Sequence, residues 1–252
     1  MELEDKSIII TGASGGIGAA AAVLFADEGA NVILGARRSA ELETLAGTIN
    51  RGNGRAVFLA GDVGDEDYPQ ALVDLAVKEF GSLDGAFNNA GIVGEMGPVP
   101  HMELANWNHV ISVNLTAAFL AARSQIPAMK TSGRGSIAFT SSFVGYSNGG
   151  LPGMGAYAAS KAGLIGLVQS LASEHAAEGI RIYALLPGGT ITPGGGEGNP
   201  DALDFVANLH PMKRMASARE IAQAALFLLS DRSSFVTGSP MIADGGMSVR
   251  LT

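Results

Sequence analysis

Short runs of consecutive apolar, often β-branched residues alternate along the chain with longer stretches in which apolar positions return every three or four residues. The first pattern predicts strands buried on both faces, the second amphipathic helices. Strands are expected at 7–11, 31–36, 56–60, 85–88, 135–140, 180–186 and 240–243. Helices are expected at 16–28, 40–51, 66–80, 104–130 with a break near Asn114, 155–178 and 218–229, and a short amphipathic segment at 201–209. Strands and helices that alternate this regularly require crossover connections. The fold class is therefore α/β, a doubly wound parallel sheet of seven strands with helices on both faces. Such sheets bind ligands beyond the carboxyl ends of their strands, where strand order reverses, so site residues belong just after strands.

Size and composition narrow the class. The chain has 252 residues, 47% of them hydrophobic and 16% charged, with 35 glycines. This fits one α/β domain over 1–252 with many tight turns. A formal net charge of -8 without a clustered basic run argues against nucleic-acid and anionic-membrane partners. The absence of cysteine excludes disulfides, thiolate catalysis and Cys-ligated zinc. The first residues carry no basic or apolar leader, and no apolar run is long enough to span a bilayer. A cytoplasmic location is the default expectation. His101, His109, His175 and His210 lack paired metal-site spacing and read as lone exposed or capping residues, so no metal is assigned. The stretch from 187 to 200 is dense in Gly and Pro, and 188–212 reads as a mobile substrate flap.

The first strand runs into TGASGGIG at 11–18, directly before a helix. There, backbone N–H groups and the helix N-terminus can face a pyrophosphate. Gly12 permits the turn, Gly16 lets the backbone approach phosphate, and Gly18 allows close helix–sheet packing. An acid ending the second strand would hold the adenosine ribose, but this strand ends Gly35-Ala36-Arg37-Arg38. NADP is therefore favoured, with Arg37 as the main 2′-phosphate ligand and Ser14 and Arg38 as helpers; NAD stays open as the second choice. Asp62 and Val63, after the third strand, are candidates for the adenine.

Tyr157 and Lys161 are four residues apart at the start of a predicted helix, so phenol and ammonium share one face. A nearby cation favours the ionised phenol, and such a tyrosine can exchange a proton with a substrate oxygen. At this point the chain resembles the short-chain dehydrogenases/reductases in their single-domain Rossmann form. The resemblance rests on residues 11–18, on Asn88-Asn89-Ala90-Gly91, on Tyr157 to Lys161, on Pro187-Gly188 with Thr190 and Thr192, and on Asp244-Gly245-Gly246, all in order. It implies an oxidoreductase acting on carbonyl or secondary alcohol groups, with Asn114, Ser142, Tyr157 and Lys161 as the catalytic group. It adds Ile17, Asn89, Ala90, Gly91, Pro187, Gly188, Thr190 and Thr192 to the cofactor contacts. In this picture Ser142 bonds the substrate oxygen and Tyr157 protonates it. Lys161 holds the nicotinamide ribose and lowers the phenol pKa, while the Asn114 amide holds a relay water. Ser141 competes for the serine role, but Ser142-Phe-Val-Gly145 fits the family pattern better.

Three departures stand out. The 142–157 loop is about two residues longer than usual and carries Gly145, Gly149, Gly150, Gly153 and Gly155. Gly15 stands where many NADP-using relatives have a basic residue. Tyr183 replaces an Asn often found in the sixth strand, near the helix of the catalytic pair. Phe143, Leu151, Met154, Phe205 and Met212 are candidate pocket liners, and Trp107 reads as an apolar helix face near an interface. The apolar segment 222–246 leads to the expectation of a homotetramer. Two alternatives are a non-enzymatic NADP-binding sensor and a 3-oxoacyl-(acyl-carrier-protein) reductase.

Overall fold

The computed structural model describes residues 1–147, 152–192 and 200–250. Strand β1 (Ser7–Thr11) is buried along its whole length, as an Ile-rich run is when both faces of a parallel sheet are covered. It pairs in parallel with β2 (Asn31–Ala36) on one side and β4 (Gly85–Asn88) on the other. With β3 (Arg55–Ala60), β5 (Gly135–Thr140), β6 (Ile180–Pro187) and β9 (Pro240–Ala243) these form one seven-stranded parallel sheet, in the order β3-β2-β1-β4-β5-β6-β9. Strand order reverses between β1 and β4, which opens the expected crevice there.

Alternation along β1 and β2 divides the core into two layers. Ile8, Ile10, Val32 and Leu34 pack towards α1 (Gly16–Asp27) and α8 (Ala218–Leu229). Ile9 and Ile33 face α3 (Tyr68–Phe80), α5 (Ala117–Ser132) and α6 (Gly155–His175). Each such buried side chain contributes about 1.5–3 kcal/mol. Helix α2 (Ser39–Arg51) lies between β2 and β3. A capping box between Ser217 and Glu220 starts α8, while Gly81 in the left-handed region ends α3.

The predicted break near Asn114 is a π-turn, Ser112–Thr116, between α4 (Leu104–Ile111) and α5. The amphipathic segment 201–209 is helix α7 (Pro200–Leu209). Periodicity gives no sign of a parallel ladder between β7 (Thr190–Ile191) and β8 (Ala216–Ser217), because two residues are too few to show a period. Of the flap 188–212, residues 193–199 lie outside the described residues, as do Gly149, Gly150 and Leu151 of the 142–157 loop. No described helix is long and apolar enough to cross a membrane.

One expectation needs correction. The phenol of Tyr183 points away from α6, into the layer shared with α1 and α8, where Arg181 and Ser233 bond it. Side chains alternate across a strand, and position 183 falls on the face opposite the catalytic helix. The apolar content of 222–246 is largely used within the chain, because Ala222, Ala225, Leu226, Leu228 and Leu229 are buried core residues.

Candidate active site

The turn after β1 opens the site. Gly12 has φ 69°, and a Cβ there would stand 3.0 Å from the Asn89 amide and 3.1 Å from the Ala90 backbone. A Cβ at Gly18 would overlap the Gly12 carbonyl oxygen, so the loop and helix α1 can meet only through glycine. Thr11 ties this loop to the end of β4: its hydroxyl accepts the N–H groups of Asn89 at 3.1 Å and Ala90 at 3.2 Å. Asn88 turns inward and exchanges two amide bonds with Gln125, at 2.9 and 3.0 Å. From the far side, the Thr192 methyl closes on Gly16, 3.1 Å from where a Cβ would lie.

A cleft of about 380 Å³ follows, lined by Gly12, Ser14, Arg37, Arg38, Asp62 and Val63 among others. Its size, its glycine floor and its backbone amides at the start of α1 fit an extended dinucleotide. The two arginines take different partners. Arg38, not Arg37, joins Ser14: its guanidinium donates to the Ser14 carbonyl at 2.9 Å and to the Ser14 hydroxyl at 3.1 and 3.2 Å. The same group sits 3.1 Å from where a Cβ of Gly15 would be. Arg38 thus occupies the space that a side chain at position 15 would take. Arg37 faces Asp62 at 3.8 Å across the cleft mouth, and both are solvent-exposed.

At the end of β5 the two serines separate. Ser141 is buried and donates to the Lys161 carbonyl at 2.8 Å, so its hydroxyl proton is committed to holding α6. Ser142 caps the short 3₁₀ turn Phe143–Gly145 and hydrogen-bonds the Tyr157 phenol. Gly145 brings that turn against α6, since a Cβ there would lie 2.5 Å from the Lys161 carbonyl carbon. The Lys161 ammonium stands 5.6 Å from the Tyr157 ring centroid and donates to the Thr140 carbonyl at 2.6 Å. Ser142, Tyr157 and Lys161 therefore converge beside the crevice.

Electrostatics in this corner differ from the simple expectation. Burial raises the Tyr157 phenol above its ordinary 10.0, opposed by the Ser142 hydrogen bond. The same burial lowers Lys161 from 10.5 to about 8. Burial disfavours both charged forms, and this outweighs the pull of cation on phenol. The phenol is therefore protonated at neutral pH.

Asn114 is buried under the site. Its Oδ1 accepts the Ile92 N–H at 2.8 Å, and its Nδ2 donates to the Ile92 carbonyl at 2.8 Å and to the Ser160 hydroxyl at 3.0 Å. Both amide protons are spent on protein partners, so the side chain pins the 90–92 segment to α6, and its Oδ1 keeps one lone pair. Asp62 accepts the Gly64 N–H at 2.9 Å beside Val63. Thr190 donates to the Gly188 carbonyl at 3.1 Å at the end of β6. Phe143 packs with Val144 and Met247 against Tyr157 and Leu209, whereas Phe205 and Met212 are exposed. His210 is buried and caps rather than being exposed: its ring bonds the Val206 carbonyl in the last turn of α7. His175 pairs with Glu178 at the end of α6. Among the described residues no cluster could hold a metal ion.

A family model described as enoyl-(acyl carrier protein) reductase matches residues 12–248. A cyclohexanol dehydrogenase of Acinetobacter sp. (strain SE19) is 36% identical, over 97% of this chain and 95% of its own. A 3-oxoacyl-(acyl-carrier-protein) reductase of Thermotoga maritima is 38% identical, over 99% and 100%. The crystal structure of a levodione reductase superposes with a TM-score of 0.93 at 34% identity, covering 99% of this chain and 100% of that one.

Proposed function

The chain belongs to the short-chain dehydrogenase/reductase family, NAD(P)-dependent oxidoreductases of CH–OH groups, and on that premise we propose an NADP(H)-dependent carbonyl reductase or secondary alcohol dehydrogenase that uses Tyr157 as general acid and base. The observation that carries the proposal is the Tyr157 phenol, hydrogen-bonded to Ser142 beside Lys161 at the end of β5. Gly12, Ser14, Gly16, Ile17, Gly18, Arg37, Arg38, Asp62, Val63, Asn89, Ala90, Gly91, Pro187, Gly188, Thr190 and Thr192 would hold the dinucleotide. When bound, it supplies the two-electron donor or acceptor. Tyr157 gives its proton to the carbonyl oxygen and takes it back in the reverse direction, and Ser142 holds that oxygen in line. Lys161 binds the ribose and restores charge balance around the phenol. Asn114 keeps the supporting segment in place, and α7 covers the substrate as part of the flap 188–212.

The apolar cluster of Phe143, Val144, Leu209 and Met247 at Tyr157 favours an uncharged substrate. Together with the cyclohexanol dehydrogenase and levodione reductase relatives, it points to alicyclic ketones and alcohols. NADPH and NADH consumption across a panel of cyclic ketones tests this. NADPH is expected to be preferred, and Arg38→Ala to raise its KM roughly 10- to 100-fold, the weight of lost charge-assisted hydrogen bonds, with little change for NADH. Equal loss with both cofactors would contradict the phosphate role of Arg38.

The second reading, reduction of acyl groups on acyl-carrier protein, is favoured by the Thermotoga relative. The net charge of -8 weighs against an acidic carrier as partner. We also propose a homotetramer, supported by exposed Leu104, Trp107 and Phe119 on the α4–α5 face and by Phe235 and Ile242 near the C-terminus. A monomer mass by sedimentation at micromolar concentration would reject it.

A further inference from the structure

His210 is almost fully buried, just beyond the last turn of α7. Its Nδ1 lies 2.8 Å from the Val206 carbonyl, and its Nε2 lies 3.0 Å from the Gly189 N–H. A carbonyl can only accept and an N–H can only donate, so the two partners fix one neutral tautomer, protonated on Nδ1. The ring is walled by glycine. A Cβ at Gly188 would stand 2.9 Å from Nε2, one at Gly189 2.8 Å from Cε1, and one at Gly245 3.2 Å from Cδ2. The Gly189 carbonyl in turn accepts the Ala216 N–H at 2.9 Å. Both backbone groups of Gly189 are therefore held by the segment that follows α7. This turn leaves β6 beside the strand end that carries Ser142, and within three residues Thr192 reaches back to Gly16. It links the proton-transfer corner to the glycine loop.

We infer that His210 is a positioning residue: through Nε2 it fixes the Gly188–Gly189 turn against α7, so that the nicotinamide half of the dinucleotide meets a preformed wall. The inference rests on the dinucleotide reading above and adds a residue to it. The imidazole touches neither the reacting atoms nor the adenosine cleft. Its loss should weaken recognition of the nicotinamide end and spare the adenosine end.

The test compares His210→Gln, which keeps an acceptor near Nε2, with His210→Asn, which keeps only the donor near Nδ1. Binding of NADPH, NADH and adenosine 2′,5′-bisphosphate, which lacks the nicotinamide, is measured on full-length protein by fluorescence and calorimetry. His210→Asn should bind NADPH about five- to tenfold more weakly, the weight of one hydrogen bond, while binding the bisphosphate like the wild type. His210→Gln should recover most of the lost NADPH affinity. Equal NADPH binding by wild type and both variants would overturn the inference alone. Parallel loss of the bisphosphate, or failure of Gln to rescue, would likewise reduce His210 to general structural support. A wild type that binds neither dinucleotide would overturn the functional reading and this inference with it.

Discussion

Tyr157→Phe is expected to cut turnover by about 10²- to 10⁴-fold, the span attributed to one positioned acid or base, while dinucleotide binding and melting temperature stay close to wild type. The ring lies beside Ala158 and the Phe143 cluster and keeps that packing in the variant. Only the phenol oxygen is lost, and with it the bond to Ser142. Steady-state ketone reduction and fluorescence titration with NADPH separate the two effects. Retention of more than a tenth of the wild-type rate would show that the proton comes from elsewhere. Because burial raises the phenol pKa, the group is protonated throughout the neutral range, and reduction needs no prior titration of Tyr157.

Lys161→Met is expected to abolish most activity and yet not to destabilise the fold at pH 7. The ammonium is buried and its pKa is depressed from 10.5 to about 8, which corresponds to roughly 3 kcal/mol of folding free energy spent on keeping it charged. Removing it leaves the Thr140 carbonyl without its 2.6 Å donor, at a cost of about 1–3 kcal/mol. The two effects nearly cancel, with a slight gain for the variant. The pH dependence has a definite sign. Between about pH 8 and 10.5 the unfolded wild type holds a proton that the folded form has released, so wild-type stability rises with pH across that window. Tyr157 is common to both proteins and drops out of the comparison. Urea unfolding at pH 7 and pH 10 checks this. The stability difference should move in favour of the wild type at the higher pH, and a difference independent of pH would contradict the buried-charge account.

The sheet was legible because its strands are continuous apolar runs and parallel sheets bury both faces. The residues of β1, β2, β4, β5 and β9 are those expected. The site was legible where function needs a residue type at a fixed backbone place, as with Gly12, Gly18 and the Tyr157–Lys161 pair on one helix face. What the sequence did not disclose depends on where a long or flexible side chain goes. Arg38 rather than Arg37 reaches Ser14, a choice made by the direction in which β2 delivers each residue. Residue type alone does not separate Ser141 from Ser142, which the family pattern does, and they occupy different faces of the chain at the end of β5. Burial against Lys161 and Tyr157 reverses the expected sign at the phenol, an effect of the surrounding volume. His210 is a lone histidine in the sequence, and its two partners lie at Val206 and Gly189, the latter 21 positions away.

The most direct measurement is a crystal structure with NADPH and a cyclic alcohol or ketone bound. The account predicts the dinucleotide along the glycine loop, its adenosine phosphate at Ser14 and Arg38, and a substrate oxygen about 2.6–3.2 Å from both the Tyr157 and Ser142 hydroxyls. A dinucleotide seated elsewhere, or a Tyr157 phenol turned away from the substrate oxygen, would contradict it.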